Sequence, residues 1–172
     1  MTSFVSLCSS AGGMDLGGLN AGLLPTASYE IDADACEVYE RLTGHPVTQA
    51  DLTRMNPHSI PDSDMIVGGP PCQEFSQGNV LGRIEGKKNL WATIIEIVRA
   101  KCPPVFVFEN VKGLTTKRHA AYFNWILSEF QDMGYRVDWR ILNAADYGVP
   151  QTRERVFITG RLDGKPWCWP RP

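Results

Sequence analysis

The sequence predicts an α/β fold on a mostly parallel, doubly wound sheet, and three observations lead there. Short apolar runs alternate with amphipathic stretches along most of the chain. The run Val105-Phe106-Val107-Phe108 is continuously apolar, as a strand covered on both faces requires. The first apolar run is followed at once by Ser9-Ser10-Ala11-Gly12-Gly13, a glycine-containing turn of the kind that opens a helix beside a ligand.

The elements follow in order. Ser3 to Cys8 reads as the first strand and Asp15 to Ala21 as a helix. Ala27 to Ile31 is the second strand, and Asp34 to Thr43 a helix capped by Asp32 or Asp34. Pro46 to Ala50 is a short third strand, and Asp64 to Val67 a fourth. The fourth is stopped by Gly68-Gly69-Pro70-Pro71, which neither element tolerates. Residues 73 to 88 are polar and glycine-punctuated, so they read as a long loop. Leu90, Ile94, Ile97 and Val98 then recur at helical spacing, predicting a helix to Ala100. After the strand at Val105 comes a helix from Ala120 to Met133, and strands at Tyr135 to Leu142 and Arg155 to Thr159 complete the sheet.

At 172 residues the chain suits one well-packed domain. Its charged fraction of 21% and net charge of -2 are ordinary, so a nucleic-acid partner would need a locally concentrated basic face. Five widely spaced cysteines, with no CxxC, argue against zinc and against a disulfide framework. No metal is expected, and a reducing intracellular setting, cytoplasmic or at the nucleoid, is. No apolar run is long enough to span a membrane, and no leader is expected at the N-terminus. His45, His58 and His119 sit in polar contexts and are expected to be solvated.

The polar residues of interest fall at the carboxyl ends of the predicted strands, where such sheets bind ligands. Glycines at 12 and 13 let backbone amides approach a ligand, and the helix start favours an anionic group. Glu30 ends the second strand, at the distance where an acid commonly takes ribose hydroxyls. Asp51 follows the third strand, placed to accept from an adenine amino group. A helix cap explains either acid alone equally well; together they favour an adenosine-containing ligand. A nicotinamide dinucleotide is disfavoured, because Ser10 breaks the G-x-G-x-x-G spacing.

Gly69-Pro70-Pro71-Cys72-Gln73-Glu74-Phe75-Ser76 is the most specific string. A cysteine between a rigid proline pair and a polar stretch suits chemistry better than packing. Pro71-Cys72-Gln73, Glu109-Asn110-Val111 and Gln151-Thr152-Arg153-Glu154-Arg155, in this order, resemble the signature blocks of the DNA (cytosine-5) methyltransferases. The stretch Leu142 to Pro150 is similar to the family's segment before the last block, and Ser10 to Gly17 resembles its cofactor loop. The resemblance covers residues 3 to 160. It implies a Rossmann-like S-adenosylmethionine-dependent fold, with an antiparallel closing strand.

It also implies roles. Cys72 is the covalent nucleophile, Glu109 the group that protonates or hydrogen-bonds cytosine N3, and Arg155 the holder of O2. Arg153 contacts the backbone nearby, and Asn110 orients Glu109 or shapes the loop. S-adenosylmethionine is expected against Ser10, Ala11, Gly12, Gly13, Met14, Glu30, Ile31, Asp51, Leu52, Pro70 and Leu90. DNA, in restriction-modification, is the implied substrate. A tRNA-modifying branch shares these blocks, and an inactive cofactor- or partner-binding relic is the remaining alternative.

Three departures stand out. Many family members carry an acid where this chain has Ser6, an aromatic where it has Cys8, and a glycine where it has Ser10. These are expected to weaken cofactor affinity without changing its identity. Residues 161–172, proline-rich with Trp167 and Trp169, read as a connector. The family's target-recognition region and closing segment are not in this sequence, so the chain is expected to be a fragment, the product of a truncated gene, or one subunit of a split enzyme with a second polypeptide supplying them.

Overall fold

The computed structural model describes residues 2–71 and 89–172. The strands are β1 (Ser3–Leu7), β2 (Leu24–Glu30), β3 (Thr48–Gln49), β4 (Met65–Gly68), β5 (Val105–Val111), β6 (Arg136–Asn143) and β7 (Glu154–Arg161). They form one sheet in the order β3-β2-β1-β4-β5-β7-β6. Pairing is parallel from β3 across to β5, while β7 runs antiparallel to both β5 and β6. The antiparallel strand predicted to close the sheet is therefore inserted inside it, and β6 takes the edge.

The helices are α1 (Gly13–Asn20), α2 (Ala33–Thr43), α3 (Leu90–Lys101) and α4 (Ala120–Asp132). Asp32 is the N-cap of α2, accepting from Ala35 N at 2.8 Å. Helix α1 starts two residues before the expected Asp15, because Gly12 at φ 87° turns the chain into it. An added Cβ at Gly12 would lie 2.8 Å from both the Tyr39 ring and the Thr43 methyl, so the position requires glycine twice over.

The two faces differ in chemistry. On one, α3 and α4 seal an apolar core in which Phe106, Phe108, Ile94, Ile126, Phe130 and Ile158 are wholly buried. Phe106 lies 4.3 Å from Phe130 between ring centroids, and Trp91 meets Phe108 edge-on at 5.7 Å. On the other face, beneath α1 and α2, Phe4 packs on Gly18, and a polar cluster of Ser6, Asp15, Ser28 and Tyr39 is buried. Along β5 the burial alternates: Phe106, Phe108 and Asn110 are buried, whereas Val105, Val107, Glu109 and Val111 are only partly covered. Trp167 and Trp169 lie against this second face at its far edge. Trp167 N donates to Asp138 at 3.0 Å, and the Arg140 guanidinium stands over the Trp169 ring.

Several expectations are corrected. The third strand shrinks from 46–50 to Thr48–Gln49, since Asn, Pro and Asp residues after it favour short 3-10 turns at Leu52–Arg54 and Pro57–Ser59. Strand β5 extends beyond Phe108 to Val111 because β7 pairs with it as far as Arg155. Further 3-10 turns at Lys112–Thr115, Lys117–His119 and Ala144–Tyr147 were not foreseen. His119 is buried at 9% exposure rather than solvated, drawn in as the residue that leads into α4. The loop expected over 73–88 lies outside the described residues, as does Cys72.

Candidate active site

The chain runs from β1 outward to β2 and β3, then returns to β4 on the other flank of β1. Segments leaving β1 and β4 therefore diverge and open a crevice at the strands' carboxyl ends. β1 and β4 themselves press together: a Cβ at Gly68 would fall 2.3 Å from the Leu7 carbonyl oxygen. The crevice comprises two adjoining cavities of about 490 and 550 Å³, within the range of small-molecule sites. Cys8, Ser10 and Gly69 border both.

The larger cavity is walled by Glu30, Ile31, Asp51, Leu52 and Leu90, with Tyr29, Asp32, Thr53 and Pro71 beside them. Glu30 Oε2 accepts from Ser10 N at 2.7 Å, and Oε1 from Ile31 N and Asp32 N at 2.8 and 3.0 Å. A carboxylate has about four acceptor positions, so Glu30 ties the loop after β1 to β2 and retains capacity for a ligand hydroxyl. Asp51 serves as a cap, accepting from the Thr53 amide and hydroxyl at 2.9 and 2.7 Å, and also faces the cavity. The cap reading of that residue is the one its hydrogen bonds show. Ile31 is 62% exposed, an apolar side chain laid along the crevice wall.

The smaller cavity is lined by Ser6, Ser9, Ala11, Gly13, Met14 and Asp15 on one side and Glu109, Arg153 and Phe157 on the other. Gly12 supplies no side-chain cap to α1, which leaves first-turn amides for an anionic group. Across it, Arg155 Nε pairs with Glu109 Oε1 at 3.0 Å. These two residues come from neighbouring strands, where Glu109 is opposite Phe157 and Arg155 opposite Val111. Burial pushes the Glu109 carboxyl above its usual range, against the opposing pull of Arg155 and Arg153. Burial also pushes the Cys8 thiol up, to about 12, with Glu30 adding to the effect.

Asn110 turns to the opposite face from Glu109. Its Nδ2 donates to the Pro70 carbonyl at 2.9 Å and its Oδ1 accepts from Val111 N at 2.9 Å. Of the two alternatives, it therefore shapes the loop rather than touching Glu109.

Most residues expected around a cofactor do border the crevice. Gly12 and Pro70 do not. Gly12 is buried over Tyr39 and Thr43, and Pro70 is buried with its carbonyl held by Asn110, so the neighbouring Pro71 forms the wall. Sequence reasoning missed Asp15, Tyr29, Thr53 and Phe157. Phe157 was recoverable, being two residues beyond Arg155 on a strand and so on the same face. Among the described residues no group of side chains could hold a metal ion.

Residues 2–169 match the family described as C-5 cytosine-specific DNA methylase. The chain belongs to that family. It is 41% identical over 163 residues to the type II methyltransferase M.NgoFVII of Neisseria gonorrhoeae, covering 92% of this chain and 44% of that protein. It is 35% identical over 189 aligned positions to the type II methyltransferase M.AquIA of Picosynechococcus, covering 98% of this chain and 75% of the other. The fold matches that of the DNMT2 protein of Spodoptera frugiperda with a TM-score of 0.81 at 23% identity, over 100% of this chain and 53% of that one. The chain spans about half the length of most curated relatives it matches, from 44% to 54% of the first five.

The chemistry of the crevice suits S-adenosylmethionine, the methyl donor that the family implies: it offers an acidic acceptor at the end of β2, apolar walls at Ile31 and Leu52, and the start of helix α1. No described helix is long and apolar enough to cross a membrane.

Proposed function

We propose that this chain is the catalytic portion of an enzyme that methylates C5 of cytosine in DNA, with Cys72 as nucleophile. The observation that carries the reading is the Glu109–Arg155 pair at 3.0 Å. It stands on the rim of a nucleoside-sized crevice, with the Glu109 carboxyl pushed towards its protonated form. A carboxyl whose hold on a proton is strengthened by partial burial can share that proton with a ring nitrogen.

Cytosine C5 is too weak a nucleophile to take a methyl group unaided. Addition of the Cys72 thiolate at C6 is assisted by a proton or hydrogen bond from Glu109 to N3, and it makes C5 an enamine-like carbon. S-adenosylmethionine supplies the electrophilic methyl when bound. C5 then loses its proton, the C6–sulfur bond breaks, and 5-methylcytosine leaves. Arg155 orients Glu109 and holds O2, while Arg153 faces the same space from the following cavity wall. Asn110 fixes Pro70, and through it the entry of the chain into Pro71 and Cys72. Since C6 is shielded in a duplex, the base is flipped out to react.

DNA, rather than tRNA, is favoured by the names of curated relatives such as M.NgoFVII, M.NgoBI and M.FnuDI, each a type II methyltransferase. Lys117 and Arg118, which follow β5 on the catalytic edge, offer local positive charge that the net composition lacks, while Lys112 beside them is paired with Glu154. A second polypeptide, carrying a target-recognition region and a closing segment, completes the working enzyme. The incomplete cover over Val105, Val107 and Val111 supports this.

DNA containing 5-fluorocytosine tests the proposal, because fluorine at C5 blocks elimination. A covalent adduct is expected from the active wild-type protein and none from Cys72→Ser. Equal adduct from both would remove Cys72 from the role.

A further inference from the structure

We propose that Asp15, from helix α1, is the positioning residue of the loop from Cys8 to Gly13. This rests on the reading of the crevice as the cofactor site.

Asp15 is wholly buried, at 0% exposure. Its Oδ1 accepts from Ser6 Oγ at 2.6 Å, and its Oδ2 accepts from Tyr39 OH at 2.7 Å and Ser28 Oγ at 3.0 Å. A carboxylate withdrawn from water is tolerated only with such partners. Here they come from β1, α2 and β2, so one side chain links every element beneath the loop. Packing alone does not call for an acid: the opposite face fills the equivalent layer with Val5, Leu7 and Ile66.

The cluster touches the loop at two points. Ser9 Oγ donates to Ser6 Oγ at 3.0 Å, and the Tyr39 ring lies beneath Gly12, where a Cβ would meet it at 2.8 Å. Around those points the loop holds two non-glycine residues in the left-handed region, Cys8 at φ 56° and Ser10 at φ 48°. Such conformations persist only where the surroundings over-determine them. The same loop borders both cavities. Ser6, which stands where many family members have an acid, is the direct hydrogen-bond partner of Asp15. Exchanging the two side chains would keep an acid–hydroxyl bond across the same gap, with its ends reversed.

The test compares wild type, Asp15→Ser, Ser6→Asp and the Ser6→Asp/Asp15→Ser double variant. Calorimetry with S-adenosylhomocysteine, well below each melting temperature, gives affinity per folded molecule. Hydrogen exchange at the amides of residues 9–13, without ligand, gives loop order. Each single variant should bind at least ten-fold more weakly with faster loop exchange. The double variant should return to within about three-fold on both measures. Asp15→Asn, which preserves volume, replaces Asp15→Ser if the latter does not fold. A folded Asp15 variant with wild-type affinity and loop exchange would overturn the proposal, as would a folded double variant with no recovery. If the wild type binds no S-adenosylhomocysteine, the cofactor reading fails, and the ligand-free exchange data still decide the role of Asp15.

Discussion

Asn110 on β5 donates a hydrogen bond to the carbonyl of Pro70, forty positions earlier in the chain, at 2.9 Å. Both residues are buried, and the bond ties the segment that leaves β4 to strand β5. Asn110→Ala would leave the Pro70 carbonyl without this donor, at a cost of about 1–3 kcal/mol. Thermal melts should show that loss. Methyl transfer should fall further than the lost folded fraction accounts for, chiefly in kcat. A variant with wild-type kcat would sever Asn110 from the reaction.

Glu109 offers a prediction with a defined sign. Its carboxyl is held above the usual glutamate range by burial. The folded state therefore prefers the protonated form, and that contribution to stability is complete below the unfolded-state value. It is lost as pH rises through the raised folded-state value. Glu109→Gln should match wild type in melting temperature at acidic pH and exceed it near neutrality, while abolishing methyl transfer. A melting difference that does not vary with pH would contradict this.

Much of this architecture was legible in the residues. The alternation of apolar runs located every long strand and helix, and Gly68 to Pro71 marked the end of β4, because those signals are local. What escaped depends on partners distant in sequence. The extension of β5 to Val111 exists because β7 pairs with it. Asp15 looked like a first-turn helix acid until folding brought Ser6, Ser28 and Tyr39 around it. Phe157 becomes a cavity wall only through its register opposite Glu109.

The nucleoside end is tested by two acids of unequal structural duty. Glu30→Ala removes acceptors for three backbone amides, so it should weaken S-adenosylmethionine binding and also loosen the loop. Asp51→Ala removes a local cap, an exposed ion pair with Arg54 and one wall, so it should weaken binding with a smaller fall in stability. Calorimetry and melts measured together separate the two. Tighter binding of NAD than of S-adenosylmethionine by the wild type would refute the assignment of the crevice.

Cys8 should be chemically quiet despite its position between the cavities. A thiol pushed to about 12 is almost wholly protonated at pH 8, and it is the thiolate that reacts. Iodoacetamide followed by mass spectrometry should label the exposed Cys102 and Cys168 well before Cys8. Rapid labelling of Cys8 in the native protein would contradict its burial.

The purified 172-residue chain should bind cofactor weakly, self-associate, and show little affinity for duplex DNA at physiological salt. Adding a polypeptide with a target-recognition region and closing segment should restore methylation. Sequence-specific methylation by this chain alone would overturn the expectation of a second component.

The return of the chain from β3 to β4 has a mechanical consequence. One bank of the crevice belongs to residues before position 54, and the other to residues from position 68 onward. Within the sheet they are joined by the β1–β4 pairing, four residues long. Any molecule seated there bridges the banks and acts as a staple across that seam. Occupancy would then raise the resistance of the whole domain to unfolding in proportion to the logarithm of ligand concentration. Proteolysis of the empty protein should begin by parting the two halves.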